Sequence, residues 1–221
     1  LAALMLFAVV GCSSEPAAND GGDDQNVEGA QAGEELAKDN IKIGFIYIGD
    51  ASDGGYSYTH IQGTQKMKET LGLSDDQIVE KFNITEDAAC ETAINELIEA
   101  GCNAIFGTSF GYDAYMLAAA EAHPEIQFFH ASGTQCGQSG LENAHNYFGK
   151  IYEARYLAGI AAGLKTETNV LGYVTAMPFA ECISGFTAFY LGAKSVNPDV
   201  TMKVMYTNSW ADATKEAQVA Q

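Results

Sequence analysis

Positive charge is scarce in this chain. Eleven Lys and Arg stand against 29 Asp and Glu over 221 residues, a formal charge of −18 at pH 7. No basic stripe occurs along it, which argues against a nucleic-acid partner. Arginine is rarer still: Arg155 is the only one. The usual chemical signatures are missing as well. There is no GxxxxGK[ST], "GDASDGG" (49–55) does not fit GxGxxG, and "DASDG" supplies only part of a calcium loop. No GxSxG is present, and the four histidines form no HExxH, so neither an activated nucleophile nor a metal hydrolase is indicated. No cofactor or metal is expected, and the chain is not read as an enzyme. No CxxC pair occurs among the cysteines. Cys90 and Cys102 stand on and just beyond one predicted helix, roughly 15–18 Å apart, too far for a disulfide. Buried or free thiols are the expectation for Cys90, Cys102, Cys136 and Cys182.

A membrane-length hydrophobic run is also lacking. "LAALMLFAVVG" (1–11) is too short to span a bilayer and ends in small residues just before Cys12. It reads as the remnant of a secretory signal, and "VVGC" (9–12) resembles a bacterial lipobox with Cys12 as the lipidated residue. Residues 13–40 contain no aromatic and carry eight acids against one lysine. Such a stretch cannot bury enough surface to fold, so 12–40 is expected to be a lipidated cysteine and flexible tether. This places the folded part at the cell membrane, anchored by lipid on the extracytoplasmic face.

From residue 41 the pattern is regular. Strand-like apolar runs at 41–48, 77–84, 103–108, 126–131, 170–175 and 201–207 alternate with helix-period segments at 58–71, 86–100, 113–122, 152–164, 181–196 and from 211 onward. Alternation with continuous apolar strands means an α/β fold with parallel sheets covered by helices. In the helix from 86, Thr85 is a candidate cap, Glu86 and Asp87 suit the positive end of the dipole, and Gly101 ends it. The polar, glycine-rich stretch 132–146 reads as the exit from a first unit of about four strands. The boundary is placed between a first lobe, 41–148, and a second, 149–221, that stops in mid-helix. Small residues in "IYEARYLAGIAAGL" (151–164) suggest close packing against a sheet.

Ligands of open α/β sheets bind beyond the carboxyl ends of the strands. The segments there are "GDASDGGYSYTH" (49–60), "SFGYD" (109–113), "SGTQ" (132–135), "AMPFAE" (176–181) and "NSW" (208–210), and all but the third carry an aromatic. Aromatics gathered there suit a planar, uncharged, heteroaromatic ligand better than a phosphate or a metal. Candidate binding residues are Asp53, Gly55, Tyr56, Tyr58, Ser109, Phe110, Tyr112, Phe179, Asn208 and Trp210. Gly55 lets the backbone approach a ligand, and Tyr56 and Tyr58 offer stacking faces. Asp53 either meets a ring N–H or organises its turn. Ser109, Phe110 and Tyr112 would form a second wall, and Phe179, from the second lobe, would press on the opposite face of the ligand ring. Asn208 would offer an amide to the edge of such a heteroaromatic ring, and Trp210 either lines the slot or packs between lobes. His60 and His130 read as packing residues, and Glu181 as a complement to a helix N-terminus.

The strings "IGFIYIGDASDGGYSYTHIQG", "IFGTSFGY", "YLAGIAAGL…NVLGYVTAMPFAE", "AFYLGAKSVNPD" and "YTNSWADATKEA" occur in this order from about residue 41 to 221. Together they resemble the basic membrane protein family of ABC-transporter substrate-binding lipoproteins, also called purine nucleoside receptor-like. Members carry Trp where Tyr56 stands, within a "GDGGWTYAH" motif, so the aromatic face is kept but reduced. The resemblance implies a type I periplasmic-binding-protein fold of two Rossmann-like lobes, the second incomplete here, closing on a purine nucleoside or purine base. It implies delivery to a membrane permease driven by a separate ATPase. The alternatives are a sugar-binding or a sensor or surface-interaction lipoprotein of the same fold. The lone arginine weakens the sugar reading, because sugar sites use more paired Asp, Asn and Arg.

Overall fold

The structure is a computed structural model, and it describes residues 37–221. The signal-like segment 1–11, Cys12 and the acidic stretch to residue 36 lie outside the described residues. The last residues read as tether behave differently from the expectation. Lys38–Asn40 form a 3-10 turn whose carbonyls are tied down, since Gln77 Nε2 donates to Lys38 O at 2.9 Å and Asn103 Nδ2 donates to Asn40 O at 2.6 Å.

Five parallel strands build the first sheet: β1 (Ile43–Ile46), β2 (Ile78–Lys81), β3 (Ala104–Gly107), β4 (Gln127–Ala131) and β5 (Ala144–Tyr147), in the order β2-β1-β3-β4-β5. Ile43 sits between Ile78 and Ala104, and Phe128 pairs with Ala144. Successive β1 residues face opposite sides. Ile46 joins Ile94, Leu97, Ile105, Met116 and Phe128 under α2 (Ala88–Glu99) and α3 (Asp113–Ala122). Phe45 and Tyr47 join Leu73, Ile61 and Met67 under α1 (Tyr56–Leu71). Gly44 is required where β1 meets α2, because a Cβ there would lie 2.7 Å from Leu97 Cδ1.

The fifth strand was not expected. "AHNY" (144–147) lies at the sheet edge, where polar side chains are tolerated, and only Ala144 is buried against the core. It therefore carries no apolar run. The cap of α2 also differs. Asp87, not Thr85, is the N-cap, accepting from Ala89 N at 2.9 Å, while Thr85 Oγ1 donates to Asp87 at 2.9 Å and Glu86 turns elsewhere. Cys90, Ala93, Ile94 and Leu97 are its buried stripe, and Gly101 (φ 83°) follows its end.

After a short helix, α4 (Gln135–Gln138), and β5, the chain enters a second unit: α5 (Ile151–Lys165), β6 (Val170–Thr175), α6 (Ala180–Val196), β7 (Thr201–Tyr206) and α7 (Ala213–Ala220). β6 and β7 pair in parallel from Val170↔Thr201 to Thr175↔Tyr206. The small residues of α5 meet α6, not a sheet. A Cβ on Gly159 would lie 1.9 Å from Phe189 O, and one on Gly192 would lie 2.0 Å from Tyr156 O. The two helix backbones are in van der Waals contact. α6 in turn packs Phe186 and Phe189 edge-on against Tyr173 of β6. No described helix is long and apolar enough to cross a membrane.

Candidate functional site

In a sheet of order β2-β1-β3, the connections leave β1 and β3 in opposite directions, so a crevice opens beyond their carboxyl ends. The structure has a cleft of about 1330 Å³ there, walled on its far side by the second unit. The connection after β1 is held by its own acids. Asp50 accepts from Ser52 N at 2.8 Å, Gly54 turns with φ 57°, and Asp53 receives Gly55 N at 2.9 Å, Ser57 N at 2.7 Å and Tyr58 N at 3.0 Å. Burial would raise the Asp53 pKa, but these three N–H groups outweigh it and hold the carboxyl below its ordinary value. Asp53 thus organises the turn and the start of α1, while still lining the cleft with Gly55.

Tyr56, the first residue of α1, faces the cleft and lies edge-on to His60, ring centroids 4.7 Å apart. Desolvation within the cleft first, and then the neighbouring Glu181 charge, push its phenol above the usual tyrosine range, although the residue as a whole stays 41% exposed. Tyr58 does not join it. Two residues further on is roughly 200° around a helix, and its ring is exposed away from the cleft.

The connection after β3 supplies Ser109 and Phe110 to the cleft. Tyr112, expected beside them, is instead fully buried in the core of the first unit, its hydroxyl donating to Ile84 O. The 3-10 turn Phe110–Tyr112 swings it inward as α3 begins. From the second unit, Trp210 and Ser209 line the cleft but Asn208 does not. Asn208 takes the left-handed turn (φ 52°) that aims its two successors. Phe179 precedes α6 and stacks directly on Phe110, centroids 4.4 Å apart and planes 17° from parallel. A ligand ring between them would need roughly 7 Å, two contact distances. The expected sandwich is therefore absent, and the pair forms a bridge between the units, with Trp210 tilted beside it at 6.0 Å.

Glu86 was read only as a helix-dipole partner, and its real neighbours are tertiary. Oε1 accepts from Ser109 Oγ at 2.6 Å and Gly111 N at 2.7 Å, and Oε2 accepts from Trp210 Nε1 at 3.0 Å. One carboxylate thus fixes the loop after β3 and reaches across to the second unit. A Cβ on Gly111 would lie 2.6 Å from Glu86 Cδ. No sequence pattern separates this acid from Asp87 beside it. Tyr147, at the end of the unexpected β5, also lines the cleft, as do His60, Tyr173, Glu181 and Arg155.

Behind Ser109 is a buried pair. His130, fully enclosed, places Nε2 2.6 Å from Ser109 O and Nδ1 3.0 Å from Asp113 Oδ1, while Asp113 Oδ2 accepts from Thr134 N at 2.9 Å and Gln135 N at 3.0 Å. His130 is a core histidine that links the loops after β3 and β4. Among the described residues no group of His, Cys, Asp and Glu is placed to hold a metal ion.

A crevice between two parallel α/β units, lined by rings and closed by bridging side chains, defines a solute-binding protein. The fold agrees: a solute-binding protein of an ABC transporter from Aeropyrum pernix K1 superposes with a TM-score of 0.65 at 19% identity over 79% of this chain and 50% of that one. Another, from Conexibacter woesei, gives 0.62 at 18% over 81% of this chain and 59% of that one. The chain belongs to the PnrA-like family of ABC transporter substrate-binding proteins, whose sequence model matches residues 40–221. This is a family of binding proteins, not of enzymes. A purine-binding protein of Brucella abortus is 37% identical over 84% of this chain and 51% of its own length. A putative ABC transporter glucose-binding protein of Haloferax volcanii is 35% identical over 88% and 48%. An ABC transporter nucleoside-binding protein of Lactococcus lactis is 26% identical over 76% and 47%. The chain spans about half the length of these curated relatives.

Proposed function

We propose that this chain is the solute receptor of an ABC importer and that its cleft takes a purine nucleoside or purine base. The observation that carries this reading is the cleft wall: rings of Tyr56, Phe106, Tyr147 and Tyr173 surround a space with few charged groups. Stacking of a base on such a ring contributes about 1–3 kcal/mol. The names of the Brucella and Lactococcus relatives support the same ligand class. No covalent step is needed. A ligand touching both units shifts an open–closed equilibrium toward closure, and the Glu86–Trp210 and Phe110–Phe179 contacts are the protein's own part of the closed arrangement. The loaded receptor hands its solute to a permease driven by a separate ATPase, and a lipid on Cys12 holds it at the extracytoplasmic face of the cell membrane.

Titration calorimetry on the full-length protein tests this, with purine bases, nucleosides and glucose as the panel. The expected result is micromolar or tighter binding of a purine compound and none of glucose. Glucose binding without purine binding overturns the purine reading in favour of the sugar one, which the Haloferax relative's name favours.

A further inference from the structure

Buried polar atoms without a partner occur at or beside the cleft: Ser57 Oγ in the first turn of α1, and a neighbouring pair contributed by the two units. Oε2 of Glu181 and Oγ of Ser132 are shielded from solvent and hydrogen-bond to nothing among the described residues. They come from different units: Ser132 follows β4, and Glu181 stands in the first turn of α6. Tyr56 lies by both. The Ser132 hydroxyl is near enough to ease ionisation of Tyr56 and of Glu181, yet reaches hydrogen-bond geometry with neither.

A desolvated carboxylate oxygen without a donor is among the costliest of unmet polar groups, and native interiors rarely keep one. Ser132 carries a second cost. Its φ of 69° is in the left-handed region, about 1–2 kcal/mol unfavourable for a residue with a Cβ. Two simultaneous costs at one edge of a cleft point to something that arrives and offsets them.

The ordinary uses of Glu181 do not account for the geometry. At a helix start its charge suits the dipole, but no backbone N–H reaches Oε2. None of the ion pairs among the described residues involves it. Arg155 lines the same cleft without bonding to it. An acceptor lacking a cation matches a neutral ligand edge that carries donors.

We propose that Glu181 accepts a hydrogen bond from an N–H or O–H donor of the bound solute, for a purine its ring or exocyclic N–H edge, with the Ser132 hydroxyl as second partner. The cleft then selects neutral heterocycles with a donor edge, because an analogue without one leaves the carboxylate unpaired. This assignment rests on the solute-receptor reading above. It makes Glu181 a specificity determinant joined to the first unit through the ligand.

The test is calorimetry on the full-length protein with inosine, adenosine, unsubstituted purine riboside and glucose, for the wild type and for Glu181→Met, which keeps size and removes the acceptor. Inosine or adenosine is expected to bind the wild type at least tenfold more tightly than purine riboside, and Glu181→Met to erase that preference while holding purine riboside within threefold. Equal inosine affinity in wild type and Glu181→Met overturns the assignment. If Glu181→Met does not fold, Ser132→Ala decides, with at least a threefold loss for inosine expected and no loss overturning it. If the wild type binds glucose and no nucleoside, the purine reading falls. The assignment is then judged on glucose alone: a tenfold loss in Glu181→Met supports it, and no loss overturns it. A wild type that binds none of the four, nor the free bases hypoxanthine and adenine, overturns both; if only a base binds, hypoxanthine takes the place of inosine and unsubstituted purine that of its riboside in the same comparison.

Discussion

Single acids near the cleft pull stability in opposite directions. Asp53 is held below its ordinary pKa by three backbone N–H groups, which outweigh the effect of its burial. A carboxyl with a depressed folded value contributes stability above its unfolded value of about 3.9 and loses it as pH falls through the folded one. Asp53→Ala is therefore expected to cost about 1 kcal/mol at pH 7, the size of a lost helix cap. In urea unfolding that difference should shrink steadily below pH 4. Glu181 has the opposite sign, because burial raises its pKa above the usual 4.5. Between these two values the folded state binds more protons, so stability falls as pH rises through that window. Glu181→Gln should then stabilise the ligand-free protein at neutral pH, by at most about 1 kcal/mol because part of the residue stays in contact with screening solvent. A lower melting temperature for Glu181→Gln at pH 7.5 would contradict the burial of an unmet charge. Neither sign was legible in the sequence. An acid at the start of a helix has one generic use, and only the tertiary partners distinguish Asp53, Glu86 and Glu181. The rings were easier to find. Tyr56, Phe110 and Trp210 stand in the connections that follow strands and all reach the cleft, whereas Tyr112 follows the same rule and is carried into the core by one short turn.

Elements were legible wherever burial imposes a period. Strands enclosed on both faces read as unbroken apolar runs, and α2 announced its buried stripe at helical spacing. β5 was not legible because an edge strand needs little apolar content, and its one core residue is an alanine. The small residues of α5 signalled closeness but not the partner, since helix and sheet surfaces make the same demand of a glycine. The contact with α6 gives a sharp expectation. Gly159→Ala or Gly192→Ala forces a methyl into a backbone carbonyl, with no flexible side chain to yield. Either should lower stability by about 3 kcal/mol or more, at or beyond the upper end of overpacking costs. Gly63→Ala in α1 is the control. Nothing lies within 4 Å of the added methyl, and a gain of roughly 0.5–1 kcal/mol is expected in the same denaturant titration.

At the scale of the whole molecule the two units meet through few side chains, and these are the ones a solute would influence. Cys182 lines the cleft next to Glu181, while Cys90, Cys102 and Cys136 are buried, with thiols pushed up by burial to about 12, 11 and 12. Brief alkylation of the native protein should therefore label Cys182 alone among these four, and a saturating solute should slow that labelling at least fivefold. Equal rates with and without solute would place the ligand elsewhere. The bond from Trp210 to Glu86 has one more consequence. Trp210 is the single tryptophan of the chain, and its indole nitrogen is engaged only while the units are together. Its emission should thus change colour as the crevice opens and closes, which equips the protein with a built-in optical gauge of its own conformation.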